Sequence, residues 1–204
     1  MNRIRIISAL LFALFLTAPL HAQVFPLFES VARFIVQKDG EPLGGCTMGM
    51  VDEQRGLWLT VAHCVDAGDT IAVAHGKVAT VRSKDTTKDL AVLVVPEIRG
   101  RALKLARRAP QVGDAVSVVG YPYGHGPMLG KGTISAVSLL MQDGRSYMFY
   151  TSLACPGSSG SPVVNRRGEL VSVHQMGLEL GCSPPKGGVT YEDLKEFLVK
   201  ALKK

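Results

Sequence analysis

Three polar residues of this 204-residue chain stand where apolar runs end or begin, and their types suit acyl transfer. Ser159 lies in the segment GSSGSP, His63 ends the run LWLTVAH, and Asp89 opens the run DLAVLVV. Acyl transfer needs a nucleophile, a base that takes its proton, an acidic group that orients the base, and amide donors for the oxyanion. The three residues therefore predict a nucleophile, a general base and an orienting carboxylate.

The residues around Ser159 bear on the oxyanion donors. Gly157 lets the backbone turn, so that its own N–H and that of Ser159 can converge on one oxygen. Gly and Ser are also ordinary turn residues, so GSSG read alone also fits a surface loop, just as His63 read alone fits an ordinary histidine and Asp89 a strand-start aspartate that faces water. Three other carboxylates compete with Asp89, but none of them opens an apolar strand: Asp66, Asp69 and Asp85.

The order of the three residues along the chain, His63, Asp89, Ser159, helps to identify the class of hydrolase, because unrelated folds carry the same triad in different orders. An α/β-hydrolase has the order serine, acid, histidine, with its serine in G-x-S-x-G between a strand and a helix. Here position 161 is Ser rather than Gly, and short strands surround the segment. The order and the setting argue against an α/β-hydrolase.

The elements that must position these residues are short strands. Past residue 22, short apolar and β-branched runs alternate with Gly, Asp, Asn and Pro. Such strands at spacings of roughly ten residues predict an all-β sandwich or barrel. Residues 190–204, TYEDLKEFLVKALKK, carry apolar residues on one face, acidic residues first and lysines last, which predicts a C-terminal helix. The basic segment 98–111 is the best candidate for a connection between two β halves.

The first stretch, MNRIRIISALLFALFLTAPLHAQ, is typical of a secretory signal peptide. Its apolar run, Ile6 to Leu16, is shorter than the ~20 residues that a membrane span needs, so we expect cleavage after Ala22 rather than a retained anchor. We therefore predict an exported protein, periplasmic or secreted, with no membrane attachment after signal cleavage. We expect it to be a monomer.

The formal net charge is +6, and Lys and Arg are concentrated in residues 98–108 and 200–204. Such clusters are more often solvated faces than binding sites. No nucleic-acid motif accompanies them, so we expect no nucleic-acid partner.

The four cysteines, Cys46, Cys64, Cys155 and Cys182, favour disulfides, because an even count in an exported chain is typical of disulfide bonding. Composition alone leaves three connectivities open. The alternative is a zinc site of Cys46, His63 and Cys64, but adjacent His and Cys are poorly spaced ligands and no C-x-x-C pair is present. We expect no metal and no cofactor.

Together the three segments resemble the trypsin/chymotrypsin-like serine peptidases. TVAHC is similar to the family's T-A-A-H-C around the general base, DLAVL to D-[LI]-A-[LV]-[LV] around the orienting aspartate, and GSSGSP to G-[DN]-S-G-[GS]-P around the nucleophile. The resemblance implies that His63 is the base, Asp89 its orienter and Ser159 the nucleophile. It further implies that the amides of Gly157 and Ser159 form the oxyanion hole.

The resemblance also implies an architecture. The expected fold is all-β, with two six-stranded antiparallel β-barrels of the chymotrypsin type and a C-terminal helix. The expected organisation is a signal peptide at 1–22, an N-terminal barrel at 23–108, a C-terminal barrel at 109–189 and the helix at 190–204.

Residues 113–137 resemble the high-temperature-requirement periplasmic peptidases, and the chain looks like their peptidase domain without a PDZ domain, as in the glutamyl endopeptidases. The cysteine pairs that the family implies are Cys46–Cys64 and Cys155–Cys182.

For the specificity pocket, the resemblance implies that Leu153 and Ala154 line it. Neither is acidic, which argues against a preference for Lys or Arg. His174, fifteen residues after Ser159, matches the pocket histidine of glutamyl endopeptidases and viral chymotrypsin-like peptidases, and its N–H suits Glu or Gln. Those enzymes usually have threonine where Ala154 stands, so a small apolar preference stays open. Gly177 and Gly188 are expected to keep the pocket walls open.

The function implied is an exported serine endopeptidase acting on proteins or peptides without cofactor or metal. Ser158 replaces the aspartate that captures a new N-terminus in animal members, so signal removal alone should suffice for activity. Ser161 is a variation that many bacterial members share. Two alternatives stay open: a non-catalytic binding module on the same fold, and an esterase or cell-wall peptide hydrolase.

Overall fold

The computed structural model describes residues 27–178 and 181–203. The signal peptide predicted for residues 1–22 lies outside the described residues. Within the described residues, no helix is long and apolar enough to span a bilayer.

The first half of the chain forms one antiparallel sheet of seven strands. They are β1 (Val31–Lys38), β2 (Glu41–Asp52), β3 (Leu57–Thr60), β4 (Thr70–Val73), β5 (Lys77–Val78), β6 (Thr80–Asp85) and β7 (Leu90–Val94). Their order in the sheet is β5-β4-β1-β2-β3-β7-β6. The short helix α1 (Ala62–Asp66) follows β3 directly. A core of apolar side chains that includes Phe34, Trp58 and Leu93 fills the inside of this sheet.

The two edges of this sheet, β5 and β6, are consecutive in the chain. Lys77 and Val78 pair with β4, whereas residues 80–85 pair with β7. Only Ala79 separates these two strands, so the sheet must curl until its edges meet. The expected first barrel is thus completed through the chain at Ala79 and not by a hydrogen-bonded pair of edge strands.

The second half forms a closed antiparallel barrel of six strands in the order β10-β13-β12-β11-β8-β9. The strands are β8 (Ala115–Gly120), β9 (Met128–Leu140), β10 (Ser146–Tyr150), β11 (Pro162–Asn165), β12 (Leu170–Gly177) and β13 (Lys186–Val189). A short 3-10 turn, Pro122–Gly124, follows β8. The predicted all-β chymotrypsin-like fold is confirmed, and this barrel has the six strands expected, whereas the first half has seven strands instead of six and forms an open sheet whose edges are joined at Ala79.

The predicted C-terminal helix is α2 (Tyr191–Lys203). Thr190 caps it, because the Thr190 Oγ1 hydroxyl donates to Asp193 Oδ2 (2.7 Å) and accepts from the Asp193 N–H (3.3 Å). The face that includes Leu194, Phe197 and Leu198 is buried against the core of the first sheet. The final helix of the chain thus packs against β6 and β7 of the first half and against β12 of the second.

The two halves meet where the predicted catalytic residues lie. The backbone N–H of Thr47, in β2, donates to the carbonyl of Ser159 (2.8 Å). In the opposite direction, the side-chain amide of Gln175, in β12, donates to the carbonyl of Lys88 (2.7 Å), just before β7. Each half therefore contributes hydrogen bonds that fix the reactive segment of the other.

Candidate active site

His63 and Asp89 are brought together by the pairing of β3 with β7. Thr60 lies opposite Ala91 in that pair, so the end of β3 and the start of β7 share one edge of the sheet. His63 follows β3 in α1, and Asp89 immediately precedes β7. Asp89 Oδ2 lies 2.7 Å from His63 Nδ1, and Asp89 Oδ1 accepts the backbone N–H of His63 at 2.8 Å. The carboxylate therefore fixes both the ring and the main chain of the histidine.

Asp89 is held in an unusual backbone conformation. Its φ is +53°, in the left-handed region, which Asp adopts more readily than most residues. Its carbonyl accepts the Gln175 side-chain amide at 3.1 Å, and its side chain is almost completely buried. His63 is open on its other side, with 47% of the side chain exposed. The pair thus combines a buried carboxylate with an accessible imidazole.

The rival carboxylates bind other groups. Asp66 pairs with Lys84, Asp69 accepts the backbone N–H of Asp39 (3.0 Å), and Asp85 accepts the backbone N–H of Lys88 (3.0 Å). The last of these bonds stabilises the turn that leads into Asp89. The geometry therefore favours Asp89 as the partner of His63.

The Ser159 turn, residues 155–161, begins with a tight β-turn. The N–H of Ser158 donates to the carbonyl of Cys155 (2.9 Å), which closes a four-residue turn with Pro156 and Gly157 at its centre. Gly157 has a φ of +91°. Proline at the second position and a positive φ at the third define a type II turn, for which Pro-Gly is a favoured sequence.

Four consecutive carbonyls of this turn, from Pro156 to Ser159, are engaged, whereas two of its amides are free. Hydrogen bonds reach the four carbonyls as follows: Pro156 O from Tyr123 N (2.6 Å), Gly157 O from Thr47 Oγ1 (3.0 Å), Ser158 O from Ser161 N (2.9 Å) and Ser159 O from Thr47 N (2.8 Å). Within the described residues, the N–H groups of Gly157 and Ser159 donate to no protein acceptor. A pair of unoccupied donors beside a serine suits an oxyanion.

Ser159 itself is half-buried. No hydrogen bond joins its hydroxyl to His63 in the part of the chain that the structure describes. Catalytic hydrogen bonds are often long in unliganded sites and tighten only around substrate. The Ser159 turn is nevertheless anchored to the His63 half through Thr47, whose neighbour Cys46 is bonded to Cys64, the residue after His63.

The structure joins the cysteines as Cys46–Cys64 and Cys155–Cys182. The first disulfide ties α1 to β2, and the second ties the start of the Ser159 turn to the segment before β13. Each closes a loop whose entropy contributes about 3 kcal/mol to stability. With both sulfur atoms in a disulfide, Cys46 and Cys64 have no thiolate to offer a metal, which removes the zinc alternative. No cluster of three or more His, Cys, Asp or Glu side chains suited to a metal occurs among the described residues.

His174 lies buried in β12 and pairs with a tyrosine. The Tyr150 hydroxyl is 2.8 Å from His174 Nδ1, and both side chains are inaccessible to solvent. Burial lowers the pKa of His174 to about 3, and the positive charges of Lys186 and His63 act in the same direction. Burial also raises the pKa of Tyr150 well above its usual value. Both groups are therefore neutral near pH 7.

The other predicted pocket residues occupy different environments. Leu153 is exposed (54%), whereas Ala154 is buried beside Cys155. Gly177 ends β12 opposite Lys186. A side chain at Gly188 would come within 2.5 Å of Ser172 Oγ and of the Val173 carbonyl, so close strand packing requires glycine there.

Four residues of this region belong to no recognisable motif in the sequence. Thr47, Tyr150 and Gln175 sit inside apolar strand segments, and Lys186 follows two prolines in what looks like a turn. In the structure Lys186 is buried, and its Nζ donates to the carbonyl of Gly181 (3.0 Å). Polar residues inside otherwise apolar strands are the one signal that could have singled out Thr47 and Gln175, because burying such groups is costly without partners.

The sequence is similar to those of known serine peptidases. A family model described as "Trypsin-like peptidase domain" matches residues 47–173. The serine endoprotease DegS of Escherichia coli K12 is 34% identical over 140 residues, covering 64% of this chain and 39% of DegS. The putative serine protease HhoA of Synechocystis is 33% identical over 146 residues, covering 65% of this chain and 37% of HhoA.

Solved structures are similar over more of the chain. An HtrA-type protease with a tripeptide superposes with a TM-score of 0.75 at 25% identity, covering 90% of this chain and 63% of the other. The serine endoprotease from Yersinia pestis gives a TM-score of 0.74 at 20% identity, covering 91% and 67%. The chain spans about two fifths of the length of the curated relatives it matches.

Proposed function

The chain belongs to the family of trypsin-like peptidases, and on that basis we propose that it is a serine endopeptidase with Ser159 as its nucleophile. The observation that carries the proposal is the pair of hydrogen bonds, 2.7 and 2.8 Å long, between the Asp89 carboxylate and His63. A histidine fixed in this way, in a chain whose Ser159 turn has two free amides, fits acyl transfer better than a binding surface.

In the proposed reaction, Asp89 holds the hydrogen of His63 on Nδ1, which leaves Nε2 as the base. Ser159 Oγ attacks the carbonyl carbon of the scissile peptide bond, and its proton passes to Nε2. The tetrahedral intermediate then expels the amine, which takes that proton from His63, and an ester on Ser159 remains. Water then attacks the ester as His63 takes its proton, and the second tetrahedral intermediate expels Ser159 Oγ, which takes that proton back from His63 as the carboxylic acid product leaves.

The amides of Gly157 and Ser159 are the proposed donors to the oxyanion. Both lie in the Ser159 turn, in which each neighbouring carbonyl already accepts another hydrogen bond. Donors arranged before the reaction stabilise charge that develops in the transition state without a cost of reorganisation. The buried Ser158, whose Oγ accepts the N–H of Cys155 (3.2 Å), offers no carboxylate to a new N-terminus. The proposal therefore includes activity without capture of a cleaved N-terminus.

The proposed preference at the residue before the scissile bond is Gln or Glu. In the proposed arrangement His174 is neutral and the Tyr150 hydroxyl, 2.8 Å from Nδ1, donates to it, so that Nε2 carries the hydrogen. An N–H in an apolar setting suits the oxygen of an amide or carboxylate side chain. His174 is almost completely buried, with 4% exposed. This burial favours the second candidate preference, a substrate with a small apolar residue before the scissile bond, whose side chain does not reach the imidazole.

Export is also part of the proposal. Two disulfides are typical of proteins that mature outside the reducing cytosol. Relatives with 28 to 30% identity are described as probable periplasmic serine endoproteases. Both observations support a periplasmic or secreted location.

The function is tested by incubating the protein with a mixed peptide library and mapping every cut. We expect internal cleavage by the wild type and none by Ser159→Ala. A simple ester tested in parallel separates an endopeptidase from an esterase, which would hydrolyse the ester alone. Cuts after Gln or Glu support the role of His174, and cuts after Ala or Val support the second candidate.

A further inference from the structure

We propose that Thr47 is a positioning residue for catalysis, because its single hydroxyl group holds the oxyanion donors of the Ser159 turn in place from the opposite half of the protein. The inference rests on the proposed function of Ser159. Thr47 does not contact the reacting atoms. It lies in β2, next to Cys46, and belongs to the half that contains His63 and Asp89.

The Thr47 hydroxyl is buried and makes two hydrogen bonds across the interface between the halves. Its side chain is 0% exposed in the middle of an otherwise apolar part of β2. Oγ1 donates to the carbonyl of Gly157 (3.0 Å) and accepts the backbone N–H of Tyr121 (3.0 Å). A buried hydroxyl is costly without partners, and here the donor and acceptor roles are both used.

The bond from Thr47 Oγ1 to the Gly157 carbonyl holds the peptide group that joins Gly157 to Ser158. The N–H of Gly157 is one proposed donor, and Thr47 binds the carbonyl of the same residue. The backbone N–H of Thr47 also binds the carbonyl of Ser159, the residue that supplies the second donor (2.8 Å). One residue therefore holds the carbonyls of both residues whose amides form the proposed oxyanion hole.

The second bond acts through the segment 121–124. Its Tyr123 N–H binds the carbonyl of Pro156 at 2.6 Å, on the peptide whose other end is the Gly157 N–H. Type I and type II turns differ mainly in the orientation of this central peptide. Because the C=O and N–H of one peptide point in opposite directions, the bond from Tyr123 to the Pro156 carbonyl keeps the Gly157 N–H pointing away from Tyr123. Tyr123 has a φ of +52°, a strained conformation that the surroundings must maintain. Thr47, bound to Tyr121, anchors the start of this segment.

The close packing around Gly157 shows how tightly the segment and the turn are matched. A side chain at position 157 would come within 2.7 Å of the Tyr121 carbonyl and 3.1 Å of the Tyr123 nitrogen. Small shifts of the segment would therefore move the Gly157 peptide. Without its hydroxyl, Thr47 would leave the Tyr121 N–H and the Gly157 carbonyl unsatisfied, and both would relax toward other partners.

The test compares Thr47→Val, which keeps the shape but removes the hydroxyl, with Thr47→Ser, which keeps the hydroxyl. We expect Thr47→Val to lower kcat by about 10- to 100-fold with little change in KM, less than the full loss of an oxyanion donor. Thr47→Ser should retain kcat within about threefold of the wild type. The inhibition constant of a peptide aldehyde, whose adduct uses the oxyanion hole, should rise in Thr47→Val in parallel with the loss in kcat/KM.

Thr190→Val is the matched control, because it makes the same change at a buried threonine whose side chain bonds only Asp193, at the start of α2, among the described residues. It should lose stability and keep kcat. Retention of kcat within twofold in Thr47→Val, or equal losses in Thr47→Val and Thr47→Ser, would overturn the proposal. If Thr47→Val does not fold, Thr47→Cys, with its weaker donor, is compared with Thr47→Ser, and equal kcat values would overturn it.

The design separates this inference from the proposed function. A wild-type protein that neither cleaves peptides nor reacts with the aldehyde contradicts the function assigned to Ser159. An active wild type whose Thr47→Val variant is equally active contradicts only the role of Thr47.

Discussion

The carboxylate of Asp89 binds His63 twice, at ring atom Nδ1 (2.7 Å) and at the backbone N–H (2.8 Å). The contact to the backbone N–H fixes the main chain of α1 at His63, and the contact to Nδ1 fixes the imidazole ring relative to that main chain. The carbonyl of Asp89 in turn accepts the Gln175 amide of the other half. The orientation of the base therefore depends on both halves of the protein.

Asp89→Asn should lower kcat by about 10⁴-fold. An amide in place of the carboxylate stabilises the wrong tautomer of His63, and it no longer stabilises the positive charge of the imidazolium that forms during the reaction. The measurement is peptide hydrolysis, with circular dichroism to establish that the variant is folded. Asp66→Asn is the control, since it makes the same chemical change within α1 at an exposed carboxylate and should leave kcat unchanged. A loss below tenfold in Asp89→Asn would contradict the assigned role.

Tyr150→Phe should weaken the proposed preference for Gln or Glu. The change removes the hydroxyl 2.8 Å from His174 Nδ1, so the imidazole loses the partner that keeps its hydrogen on Nε2. We expect the ratio of kcat/KM for Gln over Ala before the scissile bond to fall by about 5- to 10-fold, the effect of one hydrogen bond. An unchanged ratio, in an enzyme that does prefer Gln, would show that His174 is not the selecting group.

His174 should make the protein less stable as the pH falls. Its pKa is about 3 in the folded protein against an ordinary 6.5, so between these values the unfolded chain binds a proton that the folded protein does not. The free energy of unfolding should therefore decrease below pH 6.5, with a slope of at most about 1.4 kcal/mol per pH unit from this group.

The matched variant for this prediction is His174→Gln, which has no titrating side chain at that position. Denaturant unfolding is measured at steps from pH 7 to pH 5, and the wild type should lose stability relative to the variant over that range. Every other titratable group is present in both proteins, so its contribution cancels in the difference. Parallel pH profiles of the two proteins would contradict a depressed pKa.

Ser161→Ala should raise the free energy of unfolding by about 1 kcal/mol, because a buried hydroxyl without a partner destabilises the folded state. Ser161 Oγ is buried and has no hydrogen-bond partner within the described residues. Ser172→Ala is the opposite case, because Ser172 Oγ donates to the carbonyl of Val189 at 2.6 Å, and its loss should destabilise the protein. Equal destabilisation by both changes, measured by denaturant unfolding, would be inconsistent with this account.

The sequence predicts those features that local patterns encode. Apolar runs between Gly, Asp and Pro mark the strands, and the spacing of apolar residues with a capping Thr190 marks α2 within one residue of its observed start. The segments around His63, Asp89 and Ser159 are recognisable because each lies within a few residues of its own strand or turn.

Features that depend on distant partners were not predictable. Thr47 binds a residue 110 positions away, and Gln175 binds Asp89 across 86 positions, with no local pattern to connect them. The closure of the first sheet at Ala79 is likewise a property of strand pairing, since residues 77–81, KVATV, look like one continuous strand in the sequence, whereas the structure divides them between two strands. The burial of Lys186 depends on how β13 packs, which its neighbours in sequence do not reveal.

The most direct test of the central claim is reaction of the wild type with a fluorophosphonate, followed by mass spectrometry of the labelled peptides. We predict a single adduct on Ser159, with loss of peptidase activity in proportion to labelling and no adduct in Ser159→Ala. Labelling of another serine, or undiminished labelling of folded Ser159→Ala, would contradict the assignment of Ser159 as the nucleophile.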